Sequence, residues 1–156
     1  MSNVSTADLV EGRFVEQEHQ RLRVGLAMLE EAIGDAHRMG RPELAERLHR
    51  LMEWIDRDVL PHAAWEDAWL YPDLDRDAGT PWATRVLRFE HSQISASAER
   101  LQADAELLRG HWTSEIAYRI VADLARLQAL LAAHVVQEER FVLPLLEQQR
   151  RLVRTS

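Results

Sequence analysis

The stretch LPHAAWEDAWLYPDL, residues 60–74, places a histidine and an acidic pair inside an otherwise apolar run. His62 and Glu66 are four residues apart, so in a helix they lie on the same face. A second stretch, AAHVVQEERFVLPLL (132–146), contains the same His-x-x-x-Glu pattern. The question is whether each stretch is a helix end with an ordinary salt bridge or half of a chemical site.

Apolar residues recur at steps of three and four along almost the whole chain, and the alternation typical of strands is absent. This periodicity predicts four amphipathic helices, each with one apolar stripe on one face. In each stripe a histidine takes a place where the pattern requires an apolar residue. The stripes are Val15, His19, Leu22, Leu26, Leu29 and Ile33; Leu44, Leu48, Leu51, Ile55, Val59, His62, Glu66 and Trp69; Leu87, His91, Ile94, Ala98, Leu101 and Leu108; and Ile116, Ile120, Leu124, Leu127, Leu131, His134, Glu138, Phe141 and Leu145.

Three segments rich in helix-breaking residues separate the stripes. They predict an all-α fold, an up-down-up-down antiparallel four-helix bundle, as a single domain over 1–156 with its core at about 6–148. The segments are MGRP (39–42), with Pro42 in a first helical turn; YPDLDRDAGTP (71–81), with Pro72 as a stop and Thr80 as an N-cap; and RGHWTS (109–114), with Thr113 or Ser114 as an N-cap.

Composition excludes several classes of function. The net charge is −7 and no basic cluster is present, which argues against nucleic acid or an anionic membrane as a partner. The absence of cysteine excludes disulfides, thiolate metal sites and cysteine nucleophiles. We find no apolar run long enough for a bilayer and no signal-peptide core in residues 1–20, so we expect a cytoplasmic location.

The four histidines of the stripes are expected at one level of the bundle. His19 and His62 are equally far along the chain from MGRP, and His91 and His134 are equally far from RGHWTS. Residues at equal distances from a turn lie at the same height on two antiparallel helices. The four imidazoles therefore converge on one layer, near the end of the bundle where residues 71–81 cross over.

The two halves of the chain resemble each other. The intervals from His19 to His62 and from His91 to His134 are both 43 residues, and an offset of 72 superimposes the first pair on the second. The same offset places Glu66 on Glu138. This indicates a duplicated helical hairpin in which each copy supplies half of a site. Three further matches at this offset are Asp67 with Glu139, Pro72 with Pro144 and Leu74 with Leu146.

Burying four imidazoles and two carboxylates without compensation would cost many kcal/mol. Two metal ions would compensate, each bound by two imidazoles, with both glutamates bridging. Nitrogen and oxygen donors without sulfur suit Fe, Mn or Zn, and a bridged pair in a bundle core favours iron. A metal-free cluster of buried histidine–glutamate pairs is the alternative. The predicted ligands are His19, His62, Glu66, His91, His134 and Glu138.

The pattern His…His-x-x-x-Glu…His…His-x-x-x-Glu-Glu, followed by LYPDL and VLPLL, resembles the hemerythrin-like, or HHE cation-binding, family. The resemblance covers roughly residues 14 to 148. It implies a non-haem di-iron centre with an oxo or hydroxo bridge. It also implies a function of that family, such as binding dioxygen, responding to nitric oxide or peroxide, sensing iron and oxygen, or repairing iron–sulfur clusters.

The sequence departs from the oxygen-carrying members of that family at one ligand. Those members have a second histidine on the third helix, four residues after the first, and here that residue is Ser95. They also place an aspartate five residues after the last histidine. Glu139 has that spacing, but the internal repeat favours Glu138 as the ligand. Six protein ligands instead of seven make redox turnover or sensing more plausible than reversible oxygen carriage.

The sequence also predicts the surroundings of several other residues. Asp67 and Glu139 are either solvated or positioned to orient a ligand imidazole, and Glu18 and Glu90 are expected in solvent. Trp69 and Phe141 are expected in the core beside the site, Trp65 beside the site or partly exposed, and Tyr71 in the core, in a loop or as an oxidisable group. His37, His49 and His111 are expected at the surface.

Three functions remain open from the sequence. The first is a di-iron protein that binds or senses a small ligand such as dioxygen, nitric oxide or peroxide. The second is a di-iron oxidoreductase that decomposes peroxide or reduces oxygen. The third is a metal-free helical interaction protein.

Overall fold

The computed structural model describes the backbone of residues 6–110 and 112–154 and the side chains of 15, 17–110 and 112–146. Its regular structure in those residues is helical. The α-helices are α1 (Thr6–Asp35), α2 (Arg41–Trp54), α3 (Leu60–Trp65), α4 (Tyr71–Asp77), α5 (Arg85–Gly110) and α6 (Ser114–Arg154).

Two π-helical turns, Ile55–Val59 and Glu66–Leu70, join α2, α3 and α4 into one continuous helix over 41–77. We call this the second helix. A proline follows the first residue after each turn, at Pro61 and at Pro72. Because proline has no N–H and its ring clashes with the carbonyl four residues back, it disfavours regular α-helical bonding at these places. The wider turn resolves the conflict: the amides of Leu60 and Tyr71 donate to carbonyls five residues back.

Four helices pack around a common core: α1, the second helix, α5 and α6. Contacts join α1 to α6, α6 to α5, α5 to α2 and α2 to α1. The predicted all-α bundle is thereby confirmed in the described residues, whereas the up-down-up-down direction stays a prediction.

The buried apolar residues form two clusters, and the predicted donors lie where one cluster gives way to the other: a histidine on α1, the second helix and α5, and Glu138 on α6, between Val135 and Val142. On α1, for example, His19 lies between Val15 of one cluster and Leu22 of the other. The larger cluster extends towards the far end of the bundle. The smaller one closes the end near the site and consists of Val15, Leu70, Tyr71, Leu74, Leu87 and Val142.

The predicted connection at 71–81 is shorter in the structure. Pro72 does not end the helix, because it lies in the first turn of α4, which continues to Asp77. Thr80 does not cap the third helix either, since α5 begins only at Arg85. Thr84 precedes that helix, and its amide and hydroxyl donate to the carboxylate of Asp75 at 3.0–3.1 Å.

The start of α6 follows the sequence prediction. The hydroxyl of Thr113 accepts a hydrogen bond from the amide of Ile116 at 3.2 Å, so Thr113 is the N-cap. By length and composition alone, the stretch Ser114–Leu146 of this helix could cross a membrane, contrary to our expectation that no such run exists. This stretch also supplies Ile120 and Leu124 to the core of the bundle.

Candidate metal centre

All six predicted donors are buried and lie in one layer of the bundle. They come from all four helices, and each histidine directs its Nε2 atom towards one or both glutamates. The donors are His19 on α1, His62 on α3, Glu66 at the start of the second π-helical turn, His91 on α5, and His134 and Glu138 on α6.

Glu138 lies among three histidines. Its Oε2 atom is 3.0 Å from Nε2 of His19, 3.5 Å from Nε2 of His134 and 3.9 Å from Nε2 of His62. The histidines belong to three different helices, so this one carboxylate contacts both halves of the layer.

Glu66 connects the halves in the same way. Its Oε1 atom is 3.3 Å from Nε2 of His62, and its Oε2 atom is 3.3 Å from Nε2 of His91 and 3.9 Å from Nε2 of His134. The Nε2 atoms of His91 and His134 are themselves only 3.1 Å apart. Nitrogens this close without a shared cation or proton would repel each other.

The ligand atoms fall into two sets, each with all its atoms within 4.8 Å of one another. Both sets contain both glutamates, which is the arrangement expected of two ions with two bridging carboxylates. We call the pair His19 and His62 the first position, and the pair His91 and His134 the second position. The first set is His19, His62, Glu66 and Glu138, and the second is Glu66, His91, His134 and Glu138.

Protein groups alone leave part of this layer unpaired. Nε2 of His62 and Oε1 of Glu66 are buried without a hydrogen-bond partner, although buried polar atoms are nearly always paired. Imidazole nitrogens and carboxylate oxygens are donors that iron, manganese and zinc accept. Both atoms point into the predicted donor sets, so the residues present fit a pair of metal ions.

Burial and mutual charge determine protonation in the layer when no metal is bound. Burial lowers the pKa of His62 to about 3. Burial and the charge of Glu138 raise the pKa of Glu66 well above its ordinary value. Burial also opposes ionisation of Glu138, but the hydrogen bond from His19 and the charge of His134 outweigh it and lower that pKa to about 2. Without a metal, Glu138 is therefore ionised while protonation of Glu66 is favoured, and a bound cation would favour the ionised form of both.

The model of the hemerythrin HHE cation-binding domain family matches residues 12–147 of this chain. The chain belongs to the hemerythrin family. No curated protein and no solved structure matches it significantly. The family match covers every predicted ligand of the hemerythrin-like layer, so metal binding is the property that fold, donor set and family share.

Two acidic residues, each next in sequence to Glu66 or Glu138, face histidines of this hemerythrin layer from outside. Glu139 accepts a hydrogen bond from Nδ1 of His19 at 3.3 Å, and Arg23 donates to the same carboxylate oxygen. Asp67 has its Oδ1 atom 3.1 Å from Nδ1 of His91, at ion-pair distance although not aligned as a hydrogen bond. Of the two readings left open by the sequence, the structure favours the orienting one for both acids.

The expectation that Glu90 lies in solvent is wrong. Its carboxylate accepts a hydrogen bond from Nδ1 of His134 at 3.0 Å, and Gln137 donates to its other oxygen at 2.6 Å. Glu18 is also buried, but its carboxylate pairs with Arg21 at 2.6 Å. The sequence prediction failed because it placed these side chains off the apolar face of their own helices and did not consider neighbouring helices.

Tyr71, for which the sequence left a core, a loop and an oxidisable role open, lies in the core and contacts the site. It is fully buried, and its hydroxyl donates to Oε1 of Glu138 and lies 3.3 Å from Oε2 of Glu66. The ring stacks on His91 with the centroids 5.3 Å apart, and the hydroxyl is 3.5 Å from Nε2 of that histidine. Burial and the charges of Glu66 and Glu138 raise the pKa of the phenol, so it remains a neutral donor. The signal available in the sequence was a tyrosine five residues after Glu66, a predicted ligand.

We expect Tyr71→Phe to lower the free energy of unfolding of the metal-free protein by about 1–3 kcal/mol, because Glu138 loses a buried hydrogen-bond donor. Urea unfolding followed by circular dichroism measures the change. The matched control is Tyr118→Phe, which removes the same hydroxyl from a side chain that is 78% exposed and should change stability little. Equal effects of the two substitutions would contradict a role for the buried hydroxyl.

The prediction that Trp69 and Phe141 lie in the core is wrong, since they are 67% and 58% exposed. Beyond Glu66 and Glu138 the buried face continues by four residues rather than three, to Leu70 and to Val142. Trp65 is partly buried against the smaller apolar cluster.

His37, His49 and Ser95 take no part in these donor sets. His37 and His49 are exposed as expected, whereas His111 lies outside the described residues. Ser95, at the place of the absent seventh ligand, is half-buried.

Proposed function

We propose that this chain holds two iron ions, one at the first and one at the second position, and that it binds or senses a small ligand such as dioxygen, nitric oxide or peroxide. The observation that supports this is the pair of donor sets that share both Glu66 and Glu138. Manganese or zinc would fit the same donors, but a carboxylate-bridged pair in a helical bundle favours iron.

The residues of the chain divide the work of such a centre. The histidines would bind the ions through Nε2. The acids beside Nδ1 of His19, His91 and His134 fix the orientation of the rings. Two apolar clusters exclude bulk water on both sides of the layer. Iron bound there would supply reversible one-electron chemistry and coordination places for a small ligand. Tyr71 can donate a hydrogen bond into the same space.

Anaerobic loading with ferrous iron, followed by stopped-flow mixing with dioxygen or nitric oxide, tests this proposal. We expect two iron ions per chain and absorption bands of a bridged di-iron centre that change on mixing. Apoprotein loaded with zinc is the control, since zinc has no redox change. An iron-loaded, reduced protein that never forms a complex with either ligand would be evidence against a binding or sensing role.

The alternative function is a di-iron oxidoreductase that decomposes peroxide or reduces oxygen. It is favoured by Ser95 standing in place of a seventh ligand and by the hydroxyl of Tyr71, 3.5 Å from Nε2 of His91. Fewer protein ligands leave more coordination places for a substrate. Oxygen evolution from peroxide, measured against the same concentration of free iron, tests this alternative. Turnover no faster than that of free iron would exclude it.

Removal of metal should destabilise the protein. An ion present at a hundred times its Kd stabilises the folded state by about 2.7 kcal/mol, which in a domain of this size corresponds to a Tm about 5–10 °C higher. Differential scanning calorimetry with and without a chelator measures the shift. An unchanged Tm in protein shown to contain metal would contradict a contribution of the ions to the folded state.

A further inference from the structure

The four histidines of the predicted donor sets differ in whether a carboxylate lies next to Nδ1, the ring nitrogen that faces away from the site. Three of them have a carboxylate oxygen within 3.3 Å of Nδ1: His19 has Glu139, His91 has Asp67 and His134 has Glu90. Among the described residues, no carboxylate lies within ion-pair distance of Nδ1 of His62, which is buried without a hydrogen-bond partner. Nδ1 of His91 makes no aligned hydrogen bond either, but Oδ1 of Asp67 lies 3.1 Å from it. The second position thus has carboxylates behind both imidazoles, and the first position behind one only.

The sequence explains why the fourth carboxylate is absent. At the offset of 72 residues, Glu18 is the counterpart of Glu90. The carboxylate of Glu18 is paired with Arg21, whereas the residue equivalent to Arg21 in the second half is Gln93, which has no charge to compete for Glu90. The inequality of the two positions is therefore a consequence of the residues that differ between the halves.

A carboxylate at the second nitrogen of a ligand histidine fixes the tautomer and orientation of the ring and increases its basicity. Loss of such a partner typically weakens metal binding by about 10–100-fold. A hydrogen bond of this kind is made by His134 at the second position and by His19 at the first. The second position has in addition the negative charge of Asp67 beside His91, whereas His62 has no such charge behind it among the described residues. The bridging glutamates cannot cause the difference, because both sets contain them.

We propose that the two positions bind metal in sequence: the second position fills first and tightly, and the first position is the weaker, exchangeable one. This inference rests on the proposed metal centre and adds an order of occupation to it. The chain then has a state with one ion held at His91 and His134, and the second ion enters or leaves according to the free metal concentration. Glu90 is a positioning residue for the tight ion.

Titration of the metal-free protein with Zn²⁺ against a chelator of known affinity tests the order. We expect two binding steps separated by at least about tenfold in Kd. In NMR spectra of the histidine rings, the first equivalent of Zn²⁺ should shift His91 and His134 before His19 and His62. A single step, or a first ion that shifts His19 and His62, would overturn the proposal.

Two variants assign the steps. Glu90→Gln should weaken the tight step by about 10–100-fold and leave the weak step nearly unchanged. His62→Gln should remove the weak step alone. The matched control Glu99→Gln changes an exposed glutamate on the same helix as Glu90 and should alter neither step.

The unfolding free energy of the metal-free Glu90→Gln variant should equal that of the metal-free wild type. If Glu90 only stabilised the fold, the substitution would lower this free energy. If Glu90→Gln weakened only the weak step, the assignment of the positions would be wrong. No Zn²⁺ binding at all would overturn the metal centre itself, whereas binding in one step would overturn only the order.

Discussion

Glu66→Gln is expected to weaken the binding of both metal ions by more than a hundredfold, so that protein purified from iron-replete cells contains at most one ion per chain. Glu66 is the carboxylate that lies 3.3 Å from histidines of both positions, through one oxygen to each. An amide has one acceptor oxygen and no negative charge, so it cannot bridge two cations. Loss of a direct donor should exceed the effect of losing an outer partner.

The same substitution should leave the metal-free fold intact. The pKa of Glu66 is raised well above its ordinary value by burial and by the charge of Glu138, so an uncharged side chain of equal shape suits this place without metal. We therefore expect metal-free Glu66→Gln to unfold at a Tm no lower than that of the metal-free wild type. Elemental analysis and calorimetry on the same preparation measure both quantities.

Glu99→Gln is the control for the metal content, since it removes the same charge from an exposed place on α5. Two ions retained in Glu66→Gln would show that Glu66 does not bridge. A metal-free variant that fails to fold would show that Glu66 stabilises the bundle directly, contrary to the physical argument.

Gly25→Ala is expected to destabilise the protein by about 3 kcal/mol, at the upper end of the range for overpacked cores. A Cβ atom at Gly25 would lie 1.8 Å from Cε2 and 2.1 Å from Cζ2 of the Trp54 ring. Trp54 is only 2% exposed and packs in the larger apolar cluster. The ring therefore has no free space to move into, and either α1 or the second helix must shift.

Gly34→Ala is the matched control on the same helix. Nothing lies within 4 Å of a Cβ atom there, so the substitution should stabilise the protein by about 0.5–1 kcal/mol through the lower entropy of the unfolded chain. Chemical unfolding measures both free energies, and the expected changes have opposite signs. Equal effects would mean that helix propensity alone acts at both places.

The six donors could be predicted from the sequence because each follows from a periodic pattern. A histidine or glutamate in an apolar stripe points into the bundle whichever neighbours it meets, and the offset of 72 residues supports the pairing of the halves. That the donors lie together is an observation of the structure, whereas metal ligation by each residue stays a prediction. The family match independently confirms the resemblance on which the function was based.

The residues that the sequence analysis placed wrongly are those whose environment depends on helix phase or on a neighbouring helix. From Glu138 the apolar stripe could continue either to Phe141 or to Val142. Packing against the neighbouring helices buries Val142 and leaves Phe141 exposed, which the sequence of one helix does not determine. Glu90 was assigned to solvent because its contact, His134, lies on another helix. Tyr71 was not placed wrongly, since the core was one of its three open roles. Its contact with both glutamates could not be predicted, because it follows a π-helical turn and local sequence preferences do not fix the width of a turn.

The π-helical turn at Glu66–Leu70 also makes the two similar halves of the chain differ beyond their last matching donor, Glu66 in the first half and Glu138 in the second. The matching residues 138–142 of α6 are α-helical, although the same number of residues leads from Glu66 to Pro72 as from Glu138 to Pro144. Beyond the glutamates the two halves therefore differ in rotation about the helix axis, and Tyr71 is fully buried where its counterpart, Leu143, is only half-buried. A chimera in which the second hairpin is copied over the first would keep the six donors but lose the phenol. The difference between Tyr71 and Leu143 can therefore be removed by exchanging one segment of the chain.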